Sequence, residues 1–289
     1  DEWTEPQQVI HEEINGESVY RAAKKLHGSG GPTLIDSDGW KHILCSKSYG
    51  KASSDLCDSV ANFAKKLCRE DIHADCLQEF LSCRLIPLDK GEDANGNKGI
   101  RPIGIGEILR RIVGKVVVEI IKKDIVKSAG PLQTCAGLQS GIEASIHAMK
   151  AIFDEENTEA LLLVDADNAF NNLNRQAALK NIKILCPPFY RFLHNTYQSP
   201  STLYLKDNKK TDFISSQEGT TQGDVPAMGM YAVATRPLID NLHQHVDNEV
   251  CKQVWFADYS TCGGKIHEVK RWWYKLNVMG PKYGYYPKP

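Results

Sequence analysis

The sequence predicts an α+β fold, and three observations carry that prediction. Short apolar runs of strand length alternate irregularly with longer stripes of helical spacing, which argues against a strictly repeating strand-helix-strand architecture. Two of the strand-like runs, "EALLLVDAD" and "KQVWFAD", end in carboxylates. Glycine and proline cluster at "GSGGP" (28–32) and "KGEDANGNKGIRP" (90–102), dividing the chain without any internal repeat. With 289 residues and 42% apolar content, the chain can bury a substantial core as one large domain or two subdomains.

In chain order, the 90–102 cluster reads as a loop or hairpin. After it, Ile108, Ile112, Val116 and Ile120, flanked by Leu109, Val113, Val117 and Ile121, repeat at helical spacing. Ser140-x-x-Glu143 matches a capping box ahead of Ile142, Ile146, Met149 and Phe153, so the pattern predicts an amphipathic helix to about Asp154. "EALLLVDAD" (159–167) reads as a buried strand that opens onto a site at its carboxyl end. "STLYLKD" and "TDFISSQ" around "NKK" predict a hairpin over 201–216. "PAMGMYAVATRPLIDNL" predicts a helix with Pro226 at its start. "KQVWFAD" is a second strand ending in aspartate, and Ile266, Val269, Trp272 or Trp273, and Leu276 fit a last amphipathic helix in which at least one tryptophan is core.

Bulk charge is uninformative: 35 basic against 36 acidic residues give a net charge of −1. Local patches are not neutral. Between Arg101 and Lys127, seven basic residues face Glu107, Glu119 and Asp124, and after Lys265 the lysines and Arg271 are opposed only by Glu268. Such stretches suit a phosphate backbone, although a lone lysine is more often a solvated surface residue. Nine cysteines without a C-x-x-C pair point to reduced thiols and a cytoplasmic or nuclear setting. Cys57, Cys68 and Cys76 fall in helical patterns, where burial as small apolar groups accounts for them. No apolar run is long enough for a bilayer, so no membrane partner is expected. "GSGGP" and "CGGK" lack the phosphate-loop pattern, and His243-x-His245 lacks a third metal ligand nearby.

The chemistry rests on Asp165 and Asp258. Hard cations such as magnesium need carboxylate oxygens on rigid elements, and phosphoryl chemistry uses two ions about 3.5–4 Å apart. Aspartates after strands are commonly turn or cap residues, so two alone carry little. Further stretches appear in order: "DADNAF", "TTQGDVP" before a helix, and "FADY" at a hairpin tip, preceded by "RLIPLDKGEDANGNKGIRPIGIGEILRRI". Together these resemble the reverse transcriptase family, specifically polymerases of eukaryotic retrotransposons, with the three stretches similar to motifs A, B and C. "GSGGPTLIDSDGWKHIL" and "VMGPKYGYYPKP" extend the resemblance from about Gly28 to the end.

The resemblance implies a right-hand polymerase, with fingers and an N-terminal tail over 1–158, and a palm over 159–289, part of 171–216 being open to assignment to the fingers. It implies that Asp165 and Asp258 are catalytic and, with the Ala166 carbonyl, hold Mg2+, with Mn2+ as a substitute. Phe170 would bar a 2′-hydroxyl, though a simple core phenylalanine is the competing reading. Lys90 and Arg101 would clamp the triphosphate, Gln222 and Gly223 would meet the nascent base pair, and Arg110, Arg111 and Phe256 would contact primer or template. The implied partners are a dNTP and an RNA or DNA template with its primer; oligomeric state is not legible.

One position departs from the pattern. Where the family has a second aspartate after Asp258, this chain has Tyr259. A phenol is uncharged near neutral pH, so a divalent site loses one negative charge. The resemblance also leads to an expected lysine acid beyond "PKP", for which Lys282 or Lys288 is a stand-in, and a helical thumb that is not apparent. The sequence therefore supports an impaired polymerase, a catalytically dead nucleic-acid-binding remnant or, more weakly, a template-independent nucleotidyl transferase.

Overall fold

The structure, a computed structural model, describes residues 8–92, 98–206, 210–221 and 223–288. The amino-terminal part is helical: α1 (Gly16–Lys25), α2 (Ser37–Cys45), α3 (Lys51–Arg69) and the single turn α4 (Gln78–Leu81). Asn15 caps α1 reciprocally, its side chain accepting from the Ser18 amide while Ser18 Oγ accepts from the Asn15 amide. The long α3 buries Cys57, Val60, Ala61, Ala64, Leu67 and Cys68, a stripe at three- and four-residue spacing, whereas Cys76 is exposed.

Next come β1 (Cys83–Glu92), β2 (Lys98–Gly106), α5 (Ile108–Ile120), α6 (Lys122–Ala129) and α7 (Gly141–Asp154). The predicted stripe on α5 is buried at Ile108, Ile112, Val113, Val116 and Val117. Then follow β3 (Ala160–Val164), α8 (Ala169–Asn172), α9 (Arg175–Leu185), α10 (Pro187–Tyr197), β4 (Ser201–Lys206) and β5 (Thr211–Ser216). The chain ends with α11 (Ala227–His245), β6 (Cys251–Phe256), β7 (Tyr259–Gly264) and α12 (Ile266–Tyr283).

The strands form two sheets, in the orders β2-β1-β4-β5 and β3-β7-β6. All pairings are antiparallel except a short parallel contact of Cys83 and Arg84 with Leu203 and Tyr204. The hairpin predicted at 201–216 therefore joins the sheet of β1 and β2, while α7 packs on β6 and β7. Helix α11 is the central buried element, with Met230 to Ala234, Leu238, Ile239 and Leu242 all inside. Trp272 of α12 is fully buried 6.1 Å from Trp255, while Trp273 lies at the core's edge.

Two local expectations are corrected. Ser140 does not form a capping box: its φ is 54°, a left-handed conformation, and its side chain makes no cap hydrogen bond. The apolar stripe of α7 is also not buried. Ile142, Ile146 and Phe153 are exposed, and Leu163 on β3 is 66% exposed, whereas Ile152 is buried and packs against Gly263 of β7. Among the described residues no helix is long and apolar enough to cross a membrane.

Candidate active site

Strand β3 pairs antiparallel with β7, Val164 opposite Ser260, so the residue after β3 and the residue before β7 sit at the same end of the sheet. Those residues are Asp165 and, one step before Tyr259, Asp258. Both line one cavity, together with Ala166, Phe170, Tyr259, Arg101 and Lys288. Partial burial, reinforced by the charge of Asp165, raises the Asp258 carboxyl above the ordinary aspartate value. That direction marks a place where a cation would be welcome. Among the described residues no three His, Cys, Asp or Glu gather closely enough to hold a metal ion, so protein carboxylates supply only two anions here.

The turn that presents Asp258 is held from outside the hairpin. Phe256 pairs with Tyr259, leaving Ala257 and Asp258 as a two-residue connection. Ala257 has φ 55°, a conformation in which glycine is the usual occupant. Gln133 donates from Nε2 to the Ala257 carbonyl at 3.1 Å and accepts from the Ala257 amide at 2.8 Å. Gln133 is 1% exposed, in a segment that also bridges to Trp255. No sequence motif singled it out, because its role depends on a partner 124 positions away.

The carboxyl-terminal segment runs along Asp165. The Asp167 amide donates to the Tyr286 carbonyl at 2.7 Å and the Lys288 amide to the Asp165 carbonyl at 2.9 Å. The Tyr285 hydroxyl donates to the Asp258 carbonyl at 2.8 Å and contacts Ser260 Oγ. Lys288 Nζ lies 2.7 Å from Asp165 Oδ2, and this hydrogen bond, more than any other influence, raises the lysine pKa. Lys288, named from sequence only as a candidate acid, is thus the cation already beside the predicted site, whereas Lys282 does not line the cavity.

Phe170 sits between cavity and core. It lines the cavity, and its ring stacks on Tyr231 with centroids 4.8 Å apart. Its carbonyl accepts from the Thr220 amide, fixing α8 to the loop before α11. In that loop Gly219 has φ 69°, and a Cβ there would meet the Asn171 carbonyl oxygen at 2.2 Å. Gly223 also adopts positive φ, beside Ile103 and Gly104 of β2. Gln222 and the side chain of Lys90 lie outside the described residues. Arg101, on β2, does reach the cavity.

Arg110 is placed differently from expectation. It is 3% exposed, with Nη2 2.5 Å from Asp224 Oδ2 and Nη1 donating to the Leu81 carbonyl. The Tyr197 hydroxyl donates to the same Asp224 oxygen. A guanidinium enclosed this way holds the loop after Gly223 and has no face toward a nucleic-acid strand. Arg111 donates to the carbonyls of His27 and Ser29, which ties the glycine-rich turn to α5. Phe256 borders an apolar groove with Ile142, Ile146, Met149, Leu163 and Tyr259, next to Asp165.

No protein-family model matches the chain, and no curated protein is recognisably similar in sequence. Solved structures do resemble it in fold. Apo telomerase from Candida tropicalis, truncated of its C-terminal domain, aligns with a TM-score of 0.52 at 10% identity over 73% of this chain and 49% of that one. The longer apo telomerase from the same organism gives a TM-score of 0.52 at 10% identity over 73% and 43%. Telomerase from Candida albicans, in complex with a TWJ fragment of telomeric RNA, gives 0.52 at 9% identity over 83% and 46%. The chain spans less than half the length of each of these three telomerases. At this identity the likeness concerns fold alone: the chain shares the fold of part of these telomerases.

Proposed function

We propose that the chain is the fingers and palm of a template-directed DNA polymerase of the reverse transcriptase type, derived from a eukaryotic retrotransposon. The observation that carries this reading is the meeting of Asp165 and Asp258 at adjacent strand ends in one cavity, within a fold similar to telomerase. The donor set is all oxygen, two carboxylates and the Ala166 carbonyl lining one cavity, the kind of ligand a hard divalent cation such as magnesium prefers. Held by Asp165, Asp258 and the Ala166 carbonyl, magnesium, or manganese in its place, would supply the positive charge that transfer of a nucleotide from a dNTP to a primer 3′-hydroxyl requires. Arg101 orients the triphosphate through paired N–H donors. Phe170 closes the sugar side of the cavity by steric contact, its ring braced on Tyr231. Lys288, in this reading, returns a proton to the leaving pyrophosphate once it parts from Asp165; its contact with that carboxylate supports the role. Arg111, Phe256 and Gly223 face the primer and template in this reading.

A second reading, a nucleic-acid-binding remnant without catalysis, is favoured by one observation. At the position where a further carboxylate would add charge, Tyr259 presents a phenol that is 59% exposed, and a lysine already neutralises Asp165.

Primer extension with the native chain, Tyr259→Asp and Asp165→Ala separates the two. The polymerase reading expects divalent-dependent dNTP incorporation that rises in Tyr259→Asp and vanishes in Asp165→Ala. Incorporation indifferent to Asp165→Ala would end it. Salt-sensitive template binding without incorporation, restored in part by Tyr259→Asp, would identify the remnant.

A further inference from the structure

The Ala257–Asp258 turn is unusual in what holds it. In a two-residue connection the first position takes positive φ without strain only when it is glycine. Here it is Ala257 at φ 55°. A left-handed alanine persists where the surroundings over-determine it. The over-determining group is Gln133, whose single side-chain amide closes a ring with Ala257 by accepting from its N–H and donating to its C=O. The strand edge on either side is fixed too: the Trp255 amide donates to the Leu132 carbonyl, and the Thr134 amide donates to the Trp255 carbonyl. Gln133 is therefore aligned by its own backbone before its side chain engages, and the peptide it grips is the one preceding Asp258.

We propose that Gln133 is a positioning residue for the divalent-cation site, acting through Ala257 to aim the Asp258 carboxylate at Asp165. This rests on the polymerase reading for the use of the site, though not for the geometry. A side chain that only filled space at 133 could be replaced by an apolar residue of similar volume. A side chain that forces a strained turn cannot, unless the strain is removed at its source. Ala257→Gly removes it, since glycine populates positive φ freely.

The test uses Mn2+ affinity, read by electron paramagnetic resonance on the full chain. Alongside it are kcat and KM for dNTP in a Tyr259→Asp background, and the amide exchange of Asp258 and Tyr259. Gln133→Met is expected to weaken Mn2+ at least fivefold and to lower kcat with little change in KM. It should also speed exchange at Asp258 and Tyr259. Adding Ala257→Gly to Gln133→Met is expected to restore at least half of the lost affinity, on a logarithmic scale, although glycine by itself loosens the chain. Parent-like Mn2+ affinity and exchange in Gln133→Met, or a double variant no better than the single, would overturn the proposal. Failure of the underlying reading looks different: Mn2+ affinity would be unchanged by Asp165→Ala. Exchange at Asp258 and Tyr259, with its recovery in the double variant, then decides the role of Gln133 by itself.

Discussion

The ammonium of Lys288 lies 2.7 Å from Asp165 Oδ2, and the backbone of the same lysine donates to the carbonyl of the same aspartate. The chain thus brings its own cation to the carboxylate that the proposed chemistry assigns to a metal. Both side chains are partly exposed, so solvent screens the pair and its strength falls in the range of surface salt bridges, about 0.2–1 kcal/mol. A divalent ion that binds Asp165 must displace the ammonium. Lys288→Met should accordingly tighten Mn2+ binding by about 1.5- to 5-fold, the same energy expressed as an affinity ratio. Titration of native and variant chains at one ionic strength checks this. Equal or weaker binding in the variant would show that lysine and metal do not compete.

Asp224, Arg110 and Tyr197 form a buried polar cluster at the loop leading into α11. Taking two charges out of water costs several kcal/mol, so such a pair contributes little net stability compared with apolar residues of similar size. Removing one partner is a different matter. Asp224→Leu should destabilise the fold by about 3–5 kcal/mol, because Arg110 keeps its charge in an enclosed site. Arg110→Met combined with Asp224→Leu should recover most of that, leaving about 1–3 kcal/mol for the Tyr197 hydroxyl without an acceptor. Denaturant unfolding of the three chains is the measurement. A double variant as unstable as the single would mean that the cluster stabilises through something other than charge pairing.

Much of the strand-and-helix order was legible in the sequence because it is encoded locally. The α5 stripe repeats at helical spacing, and the tip of β6 and β7 is marked by an aspartate after an apolar run. What was not legible depends on long-range packing. Periodicity finds the apolar stripe of α7 but cannot say whether another element covers it, and Ile142, Ile146 and Leu163 prove exposed. Arg110 lies in a basic stretch, so charge counting placed it on the surface; only the approach of Asp224, 114 positions later, explains its burial. Gln133 carries no motif at all, since its value lies in the backbone atoms it reaches.

Beneath the hairpin, the Gln253 side chain accepts from two indole N–H groups, those of Trp255 at 2.9 Å and Trp272 at 2.8 Å, and donates to the Ile239 carbonyl at 3.1 Å. One amide oxygen therefore satisfies both fully buried tryptophans, and sheet, α11 and α12 meet at this residue. Gln253→Leu retains volume but leaves two indole donors unpaired. At about 1–3 kcal/mol for each buried unsatisfied group, the loss should come to about 2–6 kcal/mol. Unfolding by urea, followed by tryptophan fluorescence, reads both the stability and the environment of the two rings. A loss under about 1 kcal/mol would mean that water enters to replace the amide.

His11 provides a test of the amino-terminal packing through pH. It is 1% exposed, with Nε2 3.3 Å from the Pro188 carbonyl. Burial lowers its pKa below the ordinary 6.5, with Arg69 adding in the same direction and Glu12 and the Pro188 carbonyl opposing. In the unfolded chain the imidazole gains its proton near 6.5, whereas in the folded chain it resists to lower pH. The unfolded state therefore binds more protons in that window, and stability falls as pH drops from about 6.5 toward the folded value. His11→Gln removes this titration and leaves His194, whose pKa is also lowered by burial, in both chains. The difference between native and variant thermal midpoints should accordingly shrink as pH falls from 7.5 to 5.5, if the native chain starts out more stable. A constant difference across that range would mean that His11 accepts its proton as readily in the folded state as in the unfolded one.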